Sequence, residues 1–149
     1  MRAVVQRVTR AEVRVEGAVT GAIGPGLAIL LGVGRGDGEA EADRLAARLA
    51  RLRIFPDAAG RFDASLLDTG GAALVISQFT LYGESARGHR PSFSRAADPE
   101  LAEPLYERVC ERLAAEGVTS VERGRFGADM QVELVNDGPV TILVELAPR

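Results

Sequence analysis

The stretch Leu27-Ala28-Ile29-Leu30-Leu31-Gly32-Val33 contains no polar or charged side chain. It follows the turn Gly24-Pro25-Gly26 and precedes a glycine-rich segment. A short apolar run between turn residues is typical of a strand that is buried on both faces. The stretch therefore predicts a central strand of a sheet, and it is far too short to span a bilayer.

Further strands are predicted on both sides of this run. Residues 2–8 are rich in β-branched side chains, and residues 11–16 alternate with the period of two that marks a half-buried strand. Residues 57–71 are rich in turn residues and predict a loop or a short edge hairpin. The remaining strands are expected over residues 72–81, 118–123, 126–135 and 140–146, with Asn136-Asp137-Gly138-Pro139 as a turn.

Two main helices are also predicted. Leucines at positions 45, 49 and 52 recur with helical spacing after a candidate cap at Asp37 or Asp43, and this helix should end near Phe55-Pro56. The second helix should start at Asp98-Pro99 and stop at Gly117, with a buried stripe of Leu101, Leu105, Val109 and Leu113. Residues 1–149 are thus expected to form one α/β domain of the α+β type. Its sheet should be mostly antiparallel, with a barrel-like core.

The composition narrows the class of protein. The net charge is −3 at pH 7, which disfavours extended binding to DNA. Every basic residue is arginine, and a local arginine patch can still grip the phosphates of one RNA end. The single cysteine, Cys110, excludes a disulfide framework, and the N-terminal residues do not resemble a signal peptide. A cytoplasmic location without membrane contact is expected.

A search for conventional catalytic groups finds none. His89 is the only histidine, and it lies in a loop rich in glycine and arginine, so neither a catalytic triad nor a zinc site is expected. Acid pairs such as Glu107 and Glu111 have the spacing of a solvated helix face. Glycines at positions 32, 34, 36 and 38 match no phosphate-binding motif and predict a strand-to-helix connection.

Two segments are unusual for a purely structural role. Ser77, Gln78 and Thr80 crowd the end of an apolar strand, where side chains and backbone N–H groups can converge on a ligand. An ordinary strand end explains the same pattern. Gly138-Pro139 interrupts two strong strands, and a hairpin turn is the plain explanation. Because only about 5–6% of X-Pro bonds in folded proteins are cis, the sequence by itself does not predict a cis bond there.

The chain resembles the D-aminoacyl-tRNA deacylases along nearly its whole length. The most specific motif is Asn136-Asp137-Gly138-Pro139-Val140-Thr141, and Ser77-Gln78-Phe79-Thr80-Leu81 is the second. The other matching segments, in chain order, are Val5–Val8, Val15–Gly17, Leu30–Val33, Arg53–Phe55, Arg90–Ser94 and Gly127–Val132. The loop from Tyr82 to Arg90 departs in detail from the Ala-rich, Lys-containing versions of bacterial members.

This resemblance implies a homodimer in which each active site borrows the Gly138-Pro139 loop of the partner. In the family this bond is cis, and its two carbonyl oxygens accept the substrate's α-amino group and exclude an L side chain. A D-amino acid or glycine passes this filter, including glycine mischarged on the tRNA for alanine. By the same resemblance, Arg7 braces the loop, and Phe93 and Met130 line the pocket.

The implied reaction is hydrolysis of the ester at the 3′ end of the tRNA, without metal or cofactor. The 2′-hydroxyl of the terminal adenosine assists, and backbone N–H groups near Phe79 and Thr80 polarise the carbonyl. Thr80 is the only side-chain nucleophile suggested by position, and it ranks below the RNA-assisted route. Arg87 and Arg90 keep charges suited to gripping phosphate.

Three alternatives stay open at this point. A related deacylase uses a trans Gly-Pro loop and clears mischarged L-residues, but Arg7 and the motif around Asn136 favour the D-specific branch. The domain could be a non-catalytic tRNA-binding or editing appendage of a synthetase. The end of the chain at Arg149 favours a freestanding enzyme instead. A DNA-binding protein is opposed by the negative charge and by the lack of a helix-turn-helix signal.

Overall fold

Eight strands, three α-helices and one 3₁₀ turn make up the structure, a computed structural model that describes residues 1–149. The strands are β1 Arg2–Val15, β2 Ala18–Ile23, β3 Gly26–Gly32, β4 Phe55–Pro56, β5 Phe62–Ala64, β6 Ala72–Ser77, β7 Val121–Arg123 and β8 Gln131–Glu145. The helices are α1 Glu39–Ala50, α2 Leu66–Thr69 and α3 Pro99–Glu116, and the 3₁₀ turn is Phe79–Tyr82, called the Phe79 turn below.

Strand β1 organises the main sheet because it pairs with three other strands. Its first half pairs with β3 and its second half with β2 along one edge, while β8 follows the opposite edge. All three pairings are antiparallel. The sheet continues from β3 to β6 and from β6 to β7 through parallel pairs. The predicted central strand is confirmed as β3, and the sheet is mostly antiparallel as expected, with parallel pairs only where β6 joins β3 and β7.

The sheet curls until β2 lies against β7. A Cβ atom on Gly21 would be 2.5 Å from the carbonyl oxygen of Arg123, so glycine permits this close approach. The interior of the resulting, nearly closed barrel is filled by Val8, Ala11, Val13, Ile23, Ala28, Leu74 and Ile76. The barrel-like core predicted from the sequence is therefore confirmed.

The two main helices cover the other face of the sheet, and they enclose a larger apolar cluster with β1, β3 and β6. Arg108 of α3 holds Asp43 of α1 through two hydrogen bonds of 2.8 and 2.9 Å, which lower the pKa of that carboxyl. Helix α3 runs through Pro104 without a break, from Asp98 to the left-handed Gly117. None of the helices combines the length and the apolarity that crossing a membrane would require.

Two predicted helix features were wrong. Neither Asp37 nor Asp43 caps α1; Gly38 is its first flanking residue, because the Asp37 carboxylate is engaged by the N–H of Gly34 and the α-amino group of Met1. The helix also ends at Ala50 rather than near Phe55-Pro56. Those two residues form β4, which pairs with β5 as the expected edge hairpin, and the short helix α2 was not predicted.

Four predictions of strand boundaries also differ. The segments 2–8 and 11–16, predicted as separate strands, form one strand because β8 pairs across their junction. The register shifts at this junction, and the buried side chains of β1 from Val8 to Val13 lie inside the barrel. The strand over 72–81 stops at Ser77, where its partner β3 ends. The segments 126–135 and 140–146 are a single strand, and the strand over 118–123 begins at Val121.

Candidate active site

The Phe79 turn begins where β6 leaves the sheet. The N–H of Gln78 makes the last bond to β3, 2.7 Å from the carbonyl oxygen of Leu31. The first bond inside the turn runs from the N–H of Leu81 to the carbonyl oxygen of Gln78, at 3.2 Å. The N–H groups of Phe79 and Thr80 precede that donor, so they have no acceptor inside the turn. Two adjacent backbone donors are thus free to bind an anionic oxygen.

The side chains of the turn supply no general base. The Gln78 amide donates to the hydroxyl of Thr80, and an amide nitrogen cannot take a proton from it. His89 lies on an exposed loop, and no group of three His, Cys, Asp or Glu side chains is placed to hold a metal ion. The free backbone N–H groups are thus what the turn itself offers to a bound anionic oxygen.

A pocket of about 560 Å³ opens beside the turn. Five of the predicted site residues line it, namely Ser77, Gln78, Phe79, Phe93 and Met130. The Phe79 and Phe93 rings meet edge to face with centroids 5.2 Å apart, and Phe79 stays 58% exposed. The pocket is apolar with a few polar groups at the turn, which is the usual make-up of a small-ligand site.

The floor of this pocket comes from residues that the sequence did not single out. Tyr106 and Ala102 of α3 lie there together with Phe126, and the Tyr106 hydroxyl donates to the carbonyl oxygen of Val75 at 2.8 Å. Burial raises the pKa of that hydroxyl. The predicted stripe is right for Leu105, Val109 and Leu113, but Leu101 is exposed. The i, i+4 spacing of Ala102 and Tyr106 was the available signal.

The remaining predicted site residues lie outside the pocket. Thr80 is next to it on the exposed side of the turn, while Arg7, Gly138 and Pro139 are on the β1–β8 ladder. The turn predicted over 136–139 is wrong, because β8 does not reverse. Asn136 pairs with Val8 and Thr141 pairs with Gln6, so β8 advances five residues where β1 advances two. The extra residues of β8 therefore bulge out of the ladder. Residues 136–140 are called the Gly-Pro segment below.

The Gly-Pro segment is held from both ends by side chains. The Asn136 amide accepts from the N–H of Val140 at 2.7 Å and donates to its carbonyl oxygen at 3.1 Å. Arg7 is nearly buried and donates to the carbonyl oxygens of Asp137 and Ile54, at 2.9 and 2.8 Å. The Gly138-Pro139 bond is cis, and both residues are exposed. The predicted contact between Arg7 and this segment is present.

A polar loop follows the Phe79 turn. Arg87, His89 and Arg90 are exposed in it, and its base is closed by two hydrogen bonds between the backbones of Glu84 and Ser92. Phe93 follows directly, so the loop connects the pocket mouth to an arginine-bearing surface. Guanidinium groups on such a surface suit contacts with phosphate.

Comparison with known proteins identifies the family. A family model described as D-Tyr-tRNA(Tyr) deacylase matches residues 4–145. The chain belongs to the D-aminoacyl-tRNA deacylase family. Relatives of that name include one from Anaeromyxobacter dehalogenans, 63% identical over 97% of both chains, and one from Ruegeria pomeroyi, 58% identical over 98% of this chain and 100% of the relative. The chain is accordingly an enzyme, a hydrolase of the deacylase type.

Two solved structures share the fold of this deacylase family member. One is described as a c-Myc DNA Unwinding Element Binding Protein and is 40% identical, with a TM-score of 0.93 over 99% of both chains. The other is described as a probable eukaryotic D-amino acid tRNA deacylase; it is 16% identical, with a TM-score of 0.86 over 97% of this chain and 98% of the other. At that identity the second match speaks for the fold alone.

Proposed function

We propose that this chain hydrolyses the ester bond of D-aminoacyl-tRNA and releases free tRNA and the D-amino acid. The family membership and the names of the relatives support this activity. The observation that carries it is the pair of free N–H groups at Phe79 and Thr80, which lies at the mouth of an apolar pocket. An acyl-transfer site needs such donors where negative charge develops on the carbonyl oxygen.

The proposed chemistry uses the RNA in place of a protein base. Water adds to the ester carbonyl, and the N–H groups of Phe79 and Thr80 stabilise the oxyanion. The tetrahedral intermediate then expels the 3′-oxygen of the terminal adenosine, which takes up a proton with the help of the neighbouring 2′-hydroxyl. The lack of any general base next to Thr80 supports this route over a threonine nucleophile. The scheme needs no metal and no cofactor.

Selection for D-amino acids is assigned to the Gly-Pro segment of a second copy of the chain. Its carbonyl oxygens would accept hydrogen bonds from the substrate's α-amino group and would leave no space for an L side chain. Glycine, including glycine on the tRNA for alanine, would pass. The placement of Gly138 and Pro139 on an exposed bulge, outside the pocket of their own chain, supports a role in a partner's site. Arg7 and Asn136 support a rigid filter because they hold its backbone.

The proposed homodimer buries β8. This strand pairs with β1 along one edge and has no strand on the other, and it exposes Val132, Val135 and Leu143. A long apolar edge without a partner is a template for association. In this arrangement residues 1–149 act as one deacylase domain in the cytoplasm, where aminoacyl-tRNA is made and used.

The first experiment compares release of tyrosine from D-Tyr-tRNA and from L-Tyr-tRNA by the purified chain, with a chelator present. Glycyl-tRNA for alanine is the third substrate. We expect rapid release from the D and glycyl forms only. Binding without release from any of them would favour a tRNA-binding module instead, and release from the L form as well would contradict the assigned filter.

A further inference from the structure

The glycines at the end of β3 and in the connection after it match no phosphate-binding motif. Two of them instead lie against the Phe79 turn. A Cβ atom on Gly34 would lie 2.8 to 2.9 Å from the ring and the hydroxyl of Tyr82, the last residue of the Phe79 turn. A Cβ atom on Gly32 would lie 3.0 Å from the carbonyl oxygen of Gln78 and 3.1 Å from the side chain of Leu81. Because these two glycines have no side chain, the Phe79 turn packs directly against their backbone. This contact surface of Gly32 and Gly34 is called the seat of the turn below.

Asp37, at the far end of the same connection, holds Tyr82 in that seat. Its Oδ2 accepts from the N–H of Gly34 at 2.7 Å and from the Tyr82 hydroxyl at 3.3 Å. Its Oδ1 accepts from the α-amino group of Met1 at 2.7 Å. Both Asp37 and Tyr82 are buried, and burial raises the pKa of the Tyr82 hydroxyl. The hydroxyl thus stays protonated and acts as the donor to the carboxylate.

Arg2 fixes the turn from a third direction. Its guanidinium lies over the Tyr82 ring, 4.5 Å from the centroid, and its Nη1 donates to the carbonyl oxygen of Leu81 at 2.9 Å. Glu145 accepts from Nε of the same side chain at 3.0 Å. Cation–π contact and hydrogen bond together restrain both the side chain and the backbone at the end of the turn.

These contacts approach the turn from the side away from the pocket. Tyr82, Asp37 and Gly34 do not line the pocket, whereas Gln78 and Phe79 do. The turn spans four residues, and the N–H of Gly83 bonds back to the carbonyl oxygen of Thr80 at 2.9 Å. A shift of Tyr82 would therefore be transmitted through a single turn of backbone to the free donors of Phe79 and Thr80.

We propose that Tyr82 is a positioning residue for the reaction, seated on Gly34 and held by Asp37 and Arg2 so that the Phe79 and Thr80 N–H groups point at the developing oxyanion. The proposal rests on the proposed deacylase function. Tyr82 does not line the pocket, so its effect is expected on the rate of the chemical step. Misplacement of a catalytic group by about 1 Å can cost up to about a hundredfold in rate.

The test uses Gly34→Ala with Gly38→Ala as its matched control. Both glycines lie in the same connection, but a Cβ atom at Gly38 would meet only Glu41, at an ordinary 3.5 Å. We expect Gly34→Ala to lower kcat for D-Tyr-tRNA by about tenfold or more, with KM within about threefold. Gly38→Ala is expected to keep the kcat of the unsubstituted chain. A purely structural loss in Gly34→Ala would lower the amount of active enzyme and leave kcat per folded molecule unchanged.

Tyr82→Phe is the second variant, in case Gly34→Ala does not fold. It keeps the ring under Arg2 and removes only the hydroxyl that Asp37 holds. Its control is Ser65→Ala, which removes another buried hydroxyl at the start of α2. We expect kcat to fall about fivefold or more in Tyr82→Phe, with KM unchanged, and to stay constant in Ser65→Ala.

The outcomes separate this role from the proposed function. Hydrolysis by the unsubstituted chain with a kcat unchanged in Tyr82→Phe, and in Gly34→Ala where it folds, overturns the positioning role alone. Loss of kcat in these variants, with the two controls active, supports it. No hydrolysis by the unsubstituted chain would overturn the proposed function, and this role with it.

Discussion

The Phe79 turn and the Gly-Pro segment are the two regions on which the proposed activity depends, and they are built in opposite ways. The turn grows out of the buried strand β6, faces a pocket of its own chain and is held from behind by Tyr82, Asp37 and Arg2. The Gly-Pro segment bulges from an edge strand, is exposed and lies outside the pocket beside the Phe79 turn.

Under the proposed function, one chain carries the proposed backbone donors completely and the proposed selectivity filter only as a projecting part. In the proposed scheme both regions act through backbone groups, since N–H donors serve the first and carbonyl oxygens the second. Backbone groups are positioned by whatever holds the chain around them. For the turn this is the surrounding core, and for the segment it is Arg7 and Asn136.

The largest expected effect tests the turn. Phe79→Pro removes the ring and the backbone N–H, whereas Phe79→Ala removes the ring alone; proline is tolerated at the first position of a helical turn. We expect Phe79→Pro to lower kcat by about 100- to 1000-fold relative to Phe79→Ala in single-turnover assays. Thr80→Val, which keeps the N–H and loses the hydroxyl, should stay within about threefold of the parent under the same scheme.

Equal rates in the proline and alanine variants would show that the N–H of Phe79 takes no part. A large loss in Thr80→Val, with tRNA still bound, would restore the threonine nucleophile. Circular dichroism of each variant controls for misfolding of the turn.

An intermediate effect tests the need for a second chain. Leu143→Arg places a charge on the exposed side of β8, where Leu143 is 78% exposed in the single chain. An uncompensated charge in an apolar interface costs about 2 kcal/mol or more, which is roughly a thirtyfold weaker dimer. We expect sedimentation to show monomers and hydrolysis of D-Tyr-tRNA to fall with dilution. Val19→Arg, on the exposed face of β2, is the matched control.

A monomeric Leu143→Arg chain with full activity and full discrimination would contradict the shared site. The turn and the Gly-Pro segment would then have to act independently, and the placement of the segment outside the pocket would need another explanation.

The smallest effect tests the support of the Gly-Pro segment. Arg7→Met keeps the apolar stem but leaves the carbonyl oxygens of Asp137 and Ile54 without their donor, and the buried Ile54 oxygen alone would cost about 1–3 kcal/mol. We expect a lower free energy of unfolding in urea and about a tenfold loss of discrimination between D- and L-Tyr-tRNA. Arg10→Met is the control, because its ion pair with Glu133 is exposed to solvent and should contribute little to stability. Unchanged discrimination in Arg7→Met would mean that the segment is held without this contact.

The sequence predicted more of the fold than of the site's geometry. The central strand, the barrel-like core and both main helices follow from apolar patterns that are local in the chain. Strand ends were less accurate, because the end of β6 depends on where β3 stops and the continuity of β8 depends on β1. A turn-rich motif such as Asn136-Asp137-Gly138-Pro139 by itself predicts a reversal of the chain. Here the chain stays extended because β8 pairs with the long strand β1 both before and after the motif.

The sequence by itself determined the family, the residues of the Phe79 turn and of the Gly-Pro segment, and the absence of a histidine or cysteine pair for catalysis. Only the tertiary structure decided that Ser77, Phe79, Phe93 and Met130 share one pocket with Tyr106, and that the glycine connection after β3 seats the turn. The physical reason is distance along the chain. Residue types and short spacings are local, whereas the direction of a backbone N–H group is set by contacts with segments tens of residues away.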